Sequence, residues 1–198
     1  MLAAVLRQYA ERGRPPSLQE ISASLDISQQ AVSESLLRLH RHDLILLDPN
    51  NRLILGAYPF TEKATGHSIT IQRTGRTLST MCAVDALGAG AMCRENVTIH
   101  SNCRLCGKPI AGQVEQQGMT LAKIEPARAV VWIGLEVSSG CAAESLCTEM
   151  LFFCGDAHLN QWRSARGIDG YDLSPEEAFE VGKALFIDRA LMGDTPRL

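Results

Sequence analysis

The chain has 198 residues, 45% apolar and 21% charged, with 19 Lys+Arg against 22 Asp+Glu and a formal net charge of -3. That balance excludes a disordered chain and a strongly basic nucleic-acid binder. No run of about 18 apolar residues is present, so no membrane-spanning helix is expected.

The opening, MLAAVLRQYAERGR, is amphipathic and has no basic stretch ahead of its apolar one, so it does not read as a signal peptide. A cytoplasmic, reducing location is the expectation. The 7 cysteines are then thiols rather than a disulfide framework.

Leu2, Val5, Leu6 and Tyr9 recur at helical spacing and predict a first helix over 2–12, which Gly13 to Pro16 end. Ser17 and Glu20 form a capping box for a short second helix carrying Leu18, Ile21 and Leu25. Asp26-Ile27 makes a turn. Ser28 caps a third helix through about His42, with Val32, Leu36 and Leu39 inward. LILL and RLIL follow, joined by Asp48-Pro-Asn-Asn51, which is hairpin chemistry. This order is a winged-helix pattern, and residues 1–60 are read as a winged-helix-like domain.

Its charge argues against a DNA-binding role. Six Arg are balanced by Glu11, Glu20, Asp26, Glu34, Asp43 and Asp48, and there is no Lys. Phosphate contacts need cations. Ser28, Gln29, Gln30 and Ser33 at the start of the third helix carry none. Nucleic acid is not expected as a partner, and the domain reads as a packing module.

Tyr58-Pro59-Phe60 marks the junction with a second domain, 61–198. Strands are predicted at 67–72, 97–100, 109–115 and 129–135, and helices at about 80–92, 157–165 and 175–192. Ser174, Pro175 and Glu177 supply the start signal of the last helix. The order is mixed α+β, too irregular for a doubly wound sheet.

Every cysteine falls in this second part: Cys82, Cys93, Cys103, Cys106, Cys141, Cys147 and Cys154. With Thr80 as cap, Cys82 lies in the first turn of a helix, where the dipole favours a thiolate, and Asp85 shares its face. A thiolate beside an acid is a nucleophile or metal ligand with a proton source. The two anions repel, so a protonated Asp85 is the natural tuning. A buried thiol and an ordinary helix-start acid are the alternative.

Cys103-Arg-Leu-Cys106-Gly resembles half of a zinc knuckle, but no second CxxC or HxxxH completes it. Cys93 and His100 are the nearest candidates, at spacings that match no standard pattern. Two structural thiols in a tight turn are the alternative. Cys147 precedes the apolar run Met150–Phe153, with Cys154 read as a buried spectator and Cys141 as an exposed loop thiol. His67, His100 and His158 lack metal-like spacing. No phosphate loop, GxGxxG, GxSxG or HExxH motif occurs.

Several of these stretches together resemble the organomercurial (alkylmercury) lyases. Cys82-Ala-Val-Asp85 is similar to the family's first catalytic motif, and His100 to Pro109 to its Cys-x-x-x-Gly-x-Pro turn, with Cys103 in the position of a structural cysteine. Glu125-Pro126-Ala127 matches its Glu-Pro-Ala element. Ser145-Leu-Cys147 with Phe152-Phe153 resembles the motif of the second catalytic cysteine. Trp162 to Gly167, then Glu177, Phe179 and Gly182, resemble its C-terminal helices. The chain departs from the pattern at Met81, Thr148, Glu149 and Leu151, and Cys106, Cys141 and Cys154 are extra.

The resemblance implies protonolysis of a carbon–mercury bond to a hydrocarbon and Hg(II). Cys82 and Cys147 would bind the mercury, and Asp85 would deliver the proton and lie within reach of the metal. It implies no cofactor. Organomercury compounds would be the substrates, small cytosolic thiols the co-reactants, and a mercuric reductase a possible recipient of the metal. Two other readings stay open: a metal- or thiol-responsive winged-helix transcriptional regulator, and a mercury-binding paralogue without turnover.

Overall fold

In the computed structural model, residues 1–135 and 146–187 are described. The chain begins with α1 (Leu2–Arg12), α2 (Leu18–Leu25) and α3 (Gln29–Arg41). The Ser17–Glu20 capping box forms in both directions, and the Ser28 hydroxyl accepts from the Ala31 amide. Strands β1 (Ile45–Leu47), β2 (Ile54–Ala57) and β3 (Phe60–Thr61) follow as an antiparallel sheet in the order β1-β2-β3. Asp48 stabilises the intervening turn by accepting from the amides of Asn50 and Asn51.

Two further antiparallel sheets follow. One has the order β5-β4-β6-β7-β8, formed by β4 (Ser68–Ile71), β5 (Arg76–Ser79), β6 (Val97–Asn102), β7 (Pro109–Glu115) and β8 (Thr120–Glu125). The other has the order β10-β9-β11, from β9 (Val130–Gly134), β10 (Met150–Phe153) and β11 (Gly170–Leu173). The remaining helices are α4 (Ala83–Cys93), α5 (Asp156–Arg166) and α6 (Pro175–Ile187). The part of the last predicted helix beyond 187 lies outside the described residues.

The fold is mixed α+β, as expected. The expected strands are present; β3, β5, β8 and β11 lie outside them, and Met150–Phe153, expected only as an apolar run, is strand β10. β5 and β8 are sheet edges with only Leu78 and Ile124 buried, so their sequences carry little apolar signal. Among the described residues no helix is long and apolar enough to cross a membrane.

One hydrophobic cluster runs from Val5 to Phe186 and joins the first sixty residues to the rest. Tyr9 stacks on Phe60 with ring centroids 5.4 Å apart, and its hydroxyl donates to Glu62. At the centre lies α4, whose eleven residues are all buried. A helix apolar on all sides needs cover on all sides. It packs against β4, β6, β7, β10 and, most extensively, α6.

The α4–α6 contact depends on two glycines. A Cβ on Gly88 would lie 2.4 Å from the Gly182 carbonyl oxygen, and one on Gly182 would lie 2.6 Å from that of Val84. The backbones touch there, and no rotamer change could make room. Gly182→Ala is therefore expected to destabilise the protein by at least about 1–3 kcal/mol, read as a lower denaturant midpoint. An unchanged midpoint would mean that α4 and α6 do not meet in this way.

Candidate active site

The site is assembled at the N-terminus of α4. Cys82 adopts extended backbone angles (φ -153, ψ -179), and its Sγ accepts from the Asp85 amide at 3.3 Å. Cys82 is thus the cap itself, not a first-turn residue capped by Thr80. Thr80 is occupied elsewhere: its carbonyl accepts from the Thr65 hydroxyl at 2.6 Å, and its own hydroxyl reaches the Cys82 carbonyl at 3.4 Å. Met81 donates its amide to Pro59 at 3.0 Å. The approach to α4 is therefore tied to the chain around 59–67.

Asp85 stands one turn along. Cys147 arrives from the other side, on a 3-10 turn (Leu146–Glu149) that leads into β10. The ligand atoms of Cys82, Asp85 and Cys147 all lie within 4.8 Å of one another, and all three residues are buried. The structure thus brings together the three residues singled out in the sequence.

Two neighbours were not anticipated. The Cys82 Sγ lies 3.6 Å from the thioether sulfur of Met150, and the Cys147 thiol points at the Tyr58 hydroxyl at 3.8 Å. The sequence marks Tyr58 only as part of the junction, and Met150 only as the start of an apolar run. A cavity of about 240 Å³ opens onto Asp85 and Cys147. His42, Asp43, Leu44 and Tyr58 wall it from the N-terminal side, and Leu185 and Phe186 of α6 close the other.

Burial dominates the electrostatics. It raises Asp85 from 3.8 to about 7, against hydrogen bonds from the Cys82 thiol and amide that lower it. Asp85 Oδ2 has no hydrogen-bond partner among the described residues. Burial also pushes the Cys82 thiol well above its ordinary value, reinforced by the Cys147 hydrogen bond and by the charges of Asp85 and Cys147. The expected thiolate at Cys82 is corrected on this point. The helix terminus favours an anion, but removal from water outweighs it. Both the thiol and the acid hold their protons readily.

The other candidates separate from this centre. Cys93 is buried at the far end of α4, and burial, then Glu95, pushes its thiol up to about 12. His67 is buried 2.8 Å from the Ser101 hydroxyl, and His100 meets Thr70 on the sheet surface. Cys141 lies outside the described residues. Cys154 is buried, as expected, but it does not stand alone: Cys154 and His158 join Cys103 and Cys106 in a second cluster, with ligand atoms within 4.8 Å of one another. Neither Cys93 nor His100 takes part in it.

Comparison with known proteins bears on the family and the fold. A sequence profile described as MerB, alkylmercury lyase, matches residues 60–187. An alkylmercury lyase of Streptomyces lividans is 26% identical over 191 residues, covering 96% of this chain and 84% of that protein. One of Pseudomonas putida is 28% identical over 198 residues, covering 100% of this chain and 87% of that protein. A crystal structure of the mercury-bound form of MerB2 superposes with a TM-score of 0.76 at 24% identity, over 96% of this chain and 91% of that one. At that identity it speaks for the fold.

The raised Asp85 pKa has a measurable consequence. A carboxyl group at 3.8 unfolded and about 7 folded binds its proton more tightly in the native state. Its contribution to stability is complete below about pH 4. It falls as pH rises from there to about 7, by at most about 1.4 kcal/mol per pH unit, and is level above. The stability of the parent relative to Asp85→Asn should therefore decline over that window and then flatten, measured by denaturant unfolding at each pH. A difference that stays constant between pH 4 and 8 would show Asp85 ionised throughout.

Proposed function

The chain belongs to the alkylmercury lyase family, and we propose that it cleaves carbon–mercury bonds by protonolysis at Cys82, Asp85 and Cys147. The observation that carries this reading is the convergence of two buried thiols and one proton-holding carboxyl group within 4.8 Å of one another beside a cavity.

Mercury is the substrate's own metal, and thiolates are the soft ligands it prefers. In the proposed sequence an organomercury cation enters the cavity and exchanges its solution ligand for the Cys82 sulfur, displacing the thiol proton. Cys147 then adds as second thiolate and loads electron density onto the mercury-bound carbon. Asp85 passes a proton to that carbon. The electron pair of the breaking C–Hg bond becomes the C–H bond. The hydrocarbon leaves, and Hg(II) remains on two sulfurs with Asp85 beside it. In balance, RHg⁺ and two thiols give RH, a bis-thiolate Hg(II) and one proton.

No electron is gained or lost from outside, so the chemistry calls for no cofactor. Small thiols would then extract Hg(II) by ligand exchange and regenerate the site, and a mercuric reductase would be a suitable consumer. The six cysteines among the described residues are free. That state, and the need for thiol co-reactants, fits a reducing compartment such as the cytoplasm.

The high resting protonation of Cys82 suits this order of events. The thiol keeps its proton until mercury replaces it, and once Asp85 has given its own proton to carbon, a proton displaced from a thiol restores it. Met150 offers a thioether to the same metal, and Tyr58 orients the Cys147 thiol.

The test is incubation with phenylmercury and excess thiol, with benzene measured by gas chromatography. The parent protein should release benzene, and Cys82→Ala and Cys147→Ala should abolish release. Asp85→Ala should retain mercury while turnover falls by about 10²-fold or more, the ordinary contribution of a general acid. No benzene from the parent sinks the reading, and full activity in Asp85→Ala removes the acid from the mechanism.

A further inference from the structure

The second sulfur cluster lies where the turn between β6 and β7 meets the junction of β10 and α5. Cys103 and Cys106 sit on the turn, Cys154 follows the end of β10, and His158 is in the first turn of α5. The Cys154 Sγ is 3.1 Å and the Cys103 Sγ 3.5 Å from His158 Nδ1, and the Cys106 and Cys154 sulfurs are 3.9 Å apart.

We propose that Cys103, Cys106, Cys154 and His158 form a structural zinc site. A tetrahedral ion with Zn–S near 2.3 Å and Zn–N near 2.0–2.1 Å requires S···S edges of about 3.8 Å and S···N edges of about 3.6 Å. The Cys106–Cys154 and Cys103–His158 separations match these, and the Cys154–His158 edge, at 3.1 Å, would open by about 0.5 Å around the ion. Three cysteines and a histidine are a standard closed zinc set, and four protein ligands leave no position open for substrate.

The scaffold is built for a metal before any is added. Gly107, at φ +71, lets the turn close, with its amide donating to the Cys103 carbonyl at 2.8 Å and the Cys103 amide donating to Lys108 at 2.9 Å. The Arg104 amide donates to the Phe152 carbonyl at 2.9 Å, which fixes the turn against β10. Cys106 is exposed, so a metal has a route in.

Hydrophobic packing does not account for a histidine nitrogen set between two thiols. The ligand spacing is Cys-x2-Cys on the turn and Cys-x3-His across the strand–helix junction. Two segments distant in sequence are thereby held by one ion.

The experiment uses the full chain purified from zinc-replete medium. Elemental analysis should find about one zinc per chain, as expected for one closed site. Replacement by Co(II) should give thiolate-to-cobalt charge transfer and the intense visible bands of a tetrahedral ion. Cys106→Ser and Cys154→Ser should lose both, while His158→Cys should keep the charge-transfer band. The Cys82→Ser, Cys147→Ser double variant should keep the zinc and the full cobalt spectrum. A strong chelator should lower the Tm of the parent.

Parent protein without zinc and without thiolate–cobalt bands overturns the proposal, and that measurement depends on no variant folding. Bands lost in the Cys82/Cys147 variant but kept in Cys106→Ser overturn it too, as does a cluster that takes Hg(II) but neither zinc nor cobalt. Failure to release benzene from phenylmercury would leave the zinc measurement untouched.

Discussion

Burial of α4 is the constraint from which the rest of the site follows. The helix is sealed between sheet, strand and helix, so the amides of its first turn open into the protein rather than into water. One of them is satisfied by a sulfur, the Cys82 Sγ. The only carboxyl group on the helix is carried inside with it. Ionising a group there is expensive, so Asp85 keeps its proton toward neutral pH and the Cys82 thiol resists losing its own. A site of this kind is poor at holding free charge and well suited to a cation that arrives and displaces protons.

The first sixty residues complete the enclosure. His42 and Asp43 at the end of α3, with Leu44 and Tyr58, form one wall of the cavity above Asp85 and Cys147. Met81 is bonded to Pro59, and Phe60 bridges Thr80, so the segment leading into Cys82 is held by the chain at the junction. The N-terminal unit thereby acts on the site through packing. Its balanced charge, legible at once in the sequence, is what such a role needs.

Legibility followed the range of each interaction. The capping boxes at Ser17 and Ser174 are contacts over three residues, and both stand where the sequence puts them. The pairing of Cys82 with Asp85 is also local, a matter of one helical turn. The sequence points to Thr80 rather than Cys82 as the cap because hydroxyls are the commoner caps, and nothing local shows that Thr80 is already bonded to Thr65. Cys147 could be joined to Cys82 only through family resemblance, since 65 residues separate them. Met150 and Tyr58 carry no motif at all. The second cluster was half visible as Cys103-x2-Cys106, but its other half straddles the end of a strand and the start of a helix. Neither element's periodicity marks such a pair.

The two sulfur clusters meet in β10. Cys147 and Met150 stand at its start, against Cys82. Phe152 and Cys154 stand at its end, against the Cys103 turn. A strand of four residues spans only about 13 Å, so a shift at one end reaches the other. The open cluster has two thiols and a carboxyl group beside a cavity, which leaves room for a metal carrying a departing organic group. The closed cluster offers four donors and no vacancy, which suits an ion that stays. Zinc at the closed end would hold β10 against the five-stranded sheet, and through it the distance between Cys147 and Cys82. On the proposed reading Cys82 and Cys147 would then bind and release a soft metal without the strand moving, because the residues that would fix the strand are not those that would exchange ligands.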